Sequence, residues 1–426
     1  MKELNINSID KRYLQIADIM ENKNKLDELK FDNYYSFSMD VESVDYGYIK
    51  LADGSAEKVF VASSKADSLR ALTLFISKDG ITWHQVECPD TDVATLYSKI
   101  VIYCGKIYVL FDDQVKCLYD FVLEDDHESM SESLIYDDVQ DITVVNNTMY
   151  MLTFGGVYTV DESNNVEFIE LTADFPFDNF IPSNTSELVI MGYAGNYPMF
   201  LVYDGQPHLV VSTMPCKVLT AICTKDQIFC YTDNAKIVSV YKTFDMNKAS
   251  YMLYPGHEWC GKISYFHSHF WMSYIERNGT DTYTLIAKSA NGIDFDPDTR
   301  IPHTSEKDGI SIWNGMNTYC LCAGSMFTLV SSINYFKYGK VNILKINDID
   351  IENDGSVTIP VSIDIPDISK CDISVYICDD ESHIVENDVK FESIPYMDGT
   401  DIKFNLLPDD YTDKHIYFVL EYVSSV

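Results

Sequence analysis

Ser77-Lys78-Asp79-Gly80-Ile81-Thr82-Trp83 and Ser289-Ala290-Asn291-Gly292-Ile293-Asp294-Phe295 share one form, Ser-x-(Asp/Asn)-Gly-Ile-x-aromatic. Each follows a strand-like run with a Thr-Leu pair, Thr73-Leu74 and Thr284-Leu285, and the two serines lie 212 residues apart. Asp-Gly or Asn-Gly between apolar runs is a hairpin signal. The Asp or Asn side chain caps backbone N–H groups, glycine supplies a positive φ, and the aromatic packs behind the turn. Recurrence of one such hairpin at a long interval marks a repeat architecture. Five units of about 42 residues fill the interval, which matches the four-stranded blade of a β-propeller, about 40–50 residues.

Working outward, strand pairs separated by tight turns recur from about Tyr48 to Leu344. Val59, Ile100, Ile142, Leu188, Leu219, Ile263 and Ile310 are read as blade openings, so about seven blades are expected. The short interval from Leu188 to Leu219 suggests a trimmed blade. Aromatic second strands support the phase: Lys106 to Phe111, Met149 to Leu152, Gln227 to Tyr231, His269 to Tyr274 and Thr318 to Cys322. The 30 Tyr and 22 Phe, with abundant β-branched residues, favour an all-β chain.

The two hairpins resemble the Asp-box of bacterial-neuraminidase-type repeats, Ser/Thr-x-Asp-x-Gly-x-Thr-Trp. The first copy lacks one residue between Asp79 and Gly80, and the second has Asn291 for Asp and Asp294 for Thr. The resemblance implies a structural hairpin between the third and fourth strands of a blade. Ser77, Asp79, Gly80, Thr82 and Trp83, with Ser289, Asn291, Gly292 and Phe295, are therefore assigned to turn structure and not to ligand contact. The family's sialidases place three arginines on a substrate carboxylate, beside a Tyr-Glu nucleophile pair and an acid Asp. Only Arg12, Arg70, Arg277 and Arg300 exist here, and Arg300-Ile301-Pro302 follows the second box where the family's Arg-Ile-Pro precedes the boxes. An arginine triad has to converge on one site, so a degenerate glycoside hydrolase is kept only as an alternative.

No nucleophile elbow, phosphate loop or H-E-x-x-H motif occurs, and Phe154-Gly155-Gly156-Val157 reads as a hairpin turn. His257, His267 and His269 form the one local cluster with metal-ligand character, and their aromatic neighbours favour a core role. Acidic runs such as Glu124-Asp125-Asp126 lack the spacing of a Ca²⁺ loop. No catalytic residue, metal or cofactor is expected.

The formal charge of −35 argues against nucleic acid as a partner, since phosphate binding needs Lys and Arg clusters. Glycans, basic proteins or cations fit better. Eleven cysteines, odd in number and often inside strands, read as buried thiols from a reducing compartment. No run of about 18 apolar residues is present, so neither export by the general route nor membrane insertion is expected.

Three segments follow: a helical arm over 1–40, with Ile9, Tyr13, Ile16 and Met20 at helical spacing; the propeller over 41–345; and a β-sandwich over 346–426, immunoglobulin-like in outline. In the last segment Val357, Ile359, Val361 and Ile363 alternate, as do Ile402, Phe404 and Leu406. In domain style the whole resembles a component of a bacteriophage particle. The expected function is a non-enzymatic virion or tail-associated structural protein, folded in the host cytoplasm and present in several copies. Its propeller loops would meet a host-surface glycan or protein, or neighbouring virion or tail proteins. An intracellular propeller scaffold that binds a protein partner is the alternative.

Overall fold

The computed structural model describes residues 31–423 except 37–40, 65–72, 79–81, 88–97, 112, 125–126, 172–174, 184, 243–250, 254–257, 267–268, 279–280, 302–310, 315–318, 324–325, 331–340, 353, 362–367, 369–370, 380–383, 387–388, 390, 408–410 and 412–413. Among the described residues there is no α-helix. The helix expected over Ser8 to Met20 lies outside them.

Among the described residues, six four-stranded antiparallel meanders follow one another and a seventh four-stranded sheet completes the series, here called sheets 1 to 7. Their first strands are Val41–Lys50, Ser98–Tyr103, Val139–Val145, Phe177–Phe180, Val218–Cys223, Glu258–Phe266 and Ser311–Asn314. Most successive first strands pack on one another, and sheets 4 and 5 meet through a parallel bridge between Ser183 and Cys223. Sheet 7 returns to sheet 1, where Tyr319–Ala323 touches Val41–Lys50. This cyclic stack of meanders is a β-propeller.

Sheet 7 takes its fourth strand from the other end of the chain. Phe31–Ser36, inside the stretch read as a helical arm, pairs antiparallel with Met326–Val330. Val59 and Leu188 lie on second strands, not first. The short interval from Leu188 to Leu219 follows from that offset, and sheet 4 has all four strands.

The propeller core is a series of layers between neighbouring sheets. In the strand Lys106–Phe111, Ile107 and Val109 pack toward sheet 1 while Tyr108 and Leu110 pack toward sheet 3. Both faces are buried, so the strand reads as a continuous apolar run. Each such side chain contributes roughly 1.5–3 kcal/mol of burial. Cys117, Cys223 and Cys230 fill these layers as small apolar groups.

Among the described residues, first strands are paired on their axial edge only through single bridges such as Ile49–Gly105 and Ser183–Cys223, and side chains satisfy more of it. The register shifts at Val41/Ser43, Val139/Asp141, Phe177/Asn179 and Val218/Thr220. A bulge of this kind re-aims the polar side chain. Ser43 Oγ accepts the Ile100 N–H at 3.2 Å, Asp141 Oδ2 accepts Phe180 N–H at 2.8 Å, and Thr220 Oγ1 accepts Ile263 N–H at 3.3 Å. Each bond ties one sheet to the next. The recurrent apolar-x-polar start of the first strand was the signal that would have set the repeat phase.

The C-terminal segment forms two sheets. One is ordered Val341–Asp350, Lys414–Val423, Asp372–Asp379, Ile384–Glu386; the other Ser356–Pro360, Asp401–Asn405, Tyr396–Asp398. Val357, Ile359, Phe404, Phe418 and Leu420 pack between them, so this is a β-sandwich. Its first strand, Val341–Asp350, straddles the boundary expected at 345/346. Val357 and Ile359 are buried and Thr358 and Pro360 exposed, the period-two pattern of a sheet with one wet face.

Candidate binding face

The turns between first and second strands, and between third and fourth, lie at one end of the ring. The sandwich docks at that end, on sheets 1 and 2. Ala56 N–H donates to the Phe391 carbonyl at 2.9 Å, Lys58 Nζ donates to the Cys371 carbonyl at 3.0 Å, and Ile394 covers Gly105 of sheet 2 so closely that a Cβ there would clash with it. The Phe391 ring meets Tyr48 edge-on at 6.0 Å and Phe404 at 5.1 Å. Tyr48 thus belongs to the sandwich core although it sits on a propeller strand.

Both Asp-box hairpins lie at this same end, between third and fourth strands. In the second copy, Ser289 Oγ accepts Gly292 N–H at 2.9 Å, and Asn291 Oδ1 accepts the Ile293 and Asp294 N–H groups, both at 2.9 Å. Gly292 has φ +76°, and its carbonyl accepts Tyr231 Oη–H of sheet 5 at 2.9 Å. Phe295 is buried edge-on against Tyr231, with 5.8 Å between ring centroids. The hairpin therefore joins sheet 6 to sheet 5. In the first copy Ser77 and Trp83 are buried, Trp83 lies 6.5 Å from the Phe60 ring, and Thr82 is exposed. Asp79 and Gly80 lie outside the described residues.

A second polar cluster at this end couples sheets 4 and 5. Lys242 Nζ donates to Glu187 Oε2 and, at 3.1 Å, to the Thr224 carbonyl, while Thr185 Oγ1 donates to Glu187 Oε2 at 2.6 Å. Cys223 is adjacent, but burial pushes its thiol up to about 11. That is the opposite of an activated nucleophile.

Burial likewise raises the thiol of Cys104, partly buried on its turn, from 9.0 to about 11. Cys104 is expected to alkylate about a hundredfold more slowly at pH 8 than an unshifted thiol, because only the thiolate reacts. The rate, followed by mass spectrometry of the Cys104 peptide, should climb about tenfold per pH unit through pH 10. A plateau near pH 9 would contradict the burial seen here.

The opposite end carries the turns between second and third strands and the links to the next sheet. Several apolar side chains are exposed here: Phe154 at 86%, with Tyr197, Val211 and Leu219 each close to half. A shallow hollow of about 440 Å³ lies between sheets 4 and 5, lined by Tyr193, Gly195, Asn196, Pro215, Cys216 and Lys217. Tyr193 Oη accepts the Val218 N–H at 3.0 Å, which fixes the ring in its wall.

Arg277 and Arg300 lie on second and fourth strands of sheet 6, away from the axial strands. Arg12 and Arg70 lie outside the described residues, as do His257 and His267, and the His269 side chain is likewise undescribed. Among the described residues no group of three or more His, Cys, Asp or Glu could hold a metal ion. Among them, too, no helix is long and apolar enough to cross a membrane.

No protein-family model matches the chain, and no curated protein matches it. Among solved structures it is similar to YCF48 from Cyanidioschyzon merolae, at 11% identity and a TM-score of 0.47 over 70% of this chain and 98% of that one. It is similar also to a streptogramin B lyase, at 10% identity and 0.45 over 70% and 98%. A third likeness is to the WD40 β-propeller domain of Doa1, at 10% identity and 0.44 over 70% and 95%. The propeller is assigned on the order and packing of this chain's own sheets.

Proposed function

We propose that the chain is a non-catalytic binding protein whose propeller presents the end opposite the sandwich to a partner. One observation carries the reading: the sandwich and both Asp-boxes occupy one end of the ring, while the other end exposes Phe154, Tyr197, Val211 and Leu219. Exposed apolar side chains gathered on one surface mark interaction sites. In the finer form of this proposal the seven sheets are seven blades. The sandwich is immunoglobulin-like, supported by its two facing antiparallel sheets of four and three strands.

The finer functional reading is a bacteriophage virion or tail-associated component, with the sandwich end toward the particle. The domain style and the strongly acidic chain support it. Density-gradient separation of a native lysate, with mass spectrometry of each fraction, tests it. Recovery with capsid or tail proteins is the expected result. A purely soluble position removes the virion assignment and leaves the scaffold that binds a soluble protein partner.

A further inference from the structure

We propose that an aromatic shelf at the outer rim between sheets 2 and 3 docks an arginine- or lysine-bearing segment of a protein partner. The inference rests on the binding-protein reading above and names the partner's chemistry.

The shelf begins with Phe154, in the turn between the second and third strands of sheet 3. Such turns ordinarily take Gly, Asn or Asp, and a phenylalanine exposed at 86% contributes nothing to the fold. The turn holding it is well fastened. Thr153 Oγ1 accepts Gly155 N–H at 3.0 Å and donates to the Gly156 carbonyl at 3.2 Å.

Beside this turn three rings form a row. Tyr136, from the fourth strand of sheet 2, lies 5.2 Å from Tyr158, and Tyr158 meets Phe168 edge-on at 5.2 Å. Phe168 is half exposed, and its ring covers Gly156, where a Cβ would stand 2.7 Å from Phe168 Cε2. A Cβ at Gly155 would lie 4.0 Å from Tyr158 Oη, so the turn and the row are one surface. Phe154 thus projects from a turn whose two glycines lie against Tyr158 and Phe168.

Charge selects the occupant. Asp137 and Asp138, both exposed, directly follow Tyr136. The hydrogen bond to Tyr158 first, then desolvation and the Tyr158 phenol, and last the charges of these two carboxylates, hold the Tyr136 phenol above its ordinary value. Lysines of this chain lie over Tyr46, Tyr48, Phe111 and Tyr411, but none of the described ones covers the shelf. The whole chain carries 66 acidic against 31 basic residues. Aromatic faces beside carboxylates attract a cation, and a guanidinium best, because it stacks on a ring while donating to a carboxylate.

The test is a titration of fluorescein-labelled nona-arginine into the full chain at about 150 mM salt, where diffuse surface attraction is largely screened. Phe154→Ser is expected to weaken binding about tenfold, and Asp137→Asn with Asp138→Asn about fivefold. Glu162→Gln with Asp226→Asn removes two exposed charges from the sandwich end and should leave the affinity within about twofold. Phe154 touches no core, so Phe154→Ser should melt with the parent chain. Equal binding by Phe154→Ser would overturn the proposal, since the peptide would then be held by net charge alone. Displacement of the peptide by a neutral oligosaccharide would overturn it in favour of a glycan. The gradient result is independent: co-sedimentation with unchanged Phe154→Ser binding keeps the function and removes the shelf.

Discussion

Asp141→Ala is expected to destabilise the propeller by about 3–5 kcal/mol, the range for removing one partner of a buried, hydrogen-bonded ion pair. The Asp141 side chain is 4% exposed and touches three sheets at once. It accepts Lys99 Nζ from sheet 2 at 2.7 Å, its neighbour Ile142 N–H at 2.8 Å, and Phe180 N–H of sheet 4 at 2.8 Å. Alanine would leave a poorly solvated ammonium and two orphaned amides. Asp141→Asn keeps an acceptor for the Phe180 amide and should fall between the two. Lys99→Met in the Asp141→Ala background should recover part of the loss, and the cycle of four proteins isolates the pair. Equilibrium denaturation at the propeller's transition reads it. A loss under about 1 kcal/mol for Asp141→Ala would mean the site is wet and the staple decorative.

Gly292→Ala is expected to cost about 2–5 kcal/mol through two separate causes. The φ of +76° lies in the left-handed region, where an L side chain costs roughly 1–2 kcal/mol. The added methyl would also stand 3.0–3.2 Å from three atoms of the buried Phe229 ring, and overpacking of this kind costs about 1–3 kcal/mol. Tyr231→Phe probes the other side of the contact. It leaves the Gly292 carbonyl without the Tyr231 hydroxyl, for a loss of about 1–3 kcal/mol. Both effects belong to stability and leave the opposite end of the ring untouched. A Gly292→Ala protein that unfolds like the parent but loses its partner would transfer the hairpin from structure to binding.

The Asp-box shows why some of this chain was legible in one dimension. Ser289, Asn291, Gly292 and Phe295 act within seven residues, through an Asx-type turn and a required φ, so their chemistry is written next to itself. The same holds for the alternation of Val357 and Ile359, and for strands such as Lys106–Phe111 whose two buried faces demand an unbroken apolar run. Phase was harder. Val59 and Leu188 are as apolar as any first-strand residue, because second strands are buried on both faces. The distinguishing mark was the bulge with its polar residue, at Ser43, Asp141, Asn179 and Thr220.

Turn type, strand periodicity and repeat length come from neighbours in the chain, and local sterics suffice to specify them. Ring closure does not. Phe31–Ser36 joins Met326–Val330 because the last sheet lacks a fourth strand, a need that exists only after six other sheets have formed. The sandwich seats Phe391 on Tyr48 and Ala56 across more than 300 residues, and such contacts distinguish the covered end of the ring from the bare one. Phe154 looked like part of an ordinary turn until its exposure, and the Tyr158–Phe168 pair packed beside that turn's glycines, were known. Burial and long-range pairing are properties of the assembled fold, so which end of the ring is covered and which left bare was decided there.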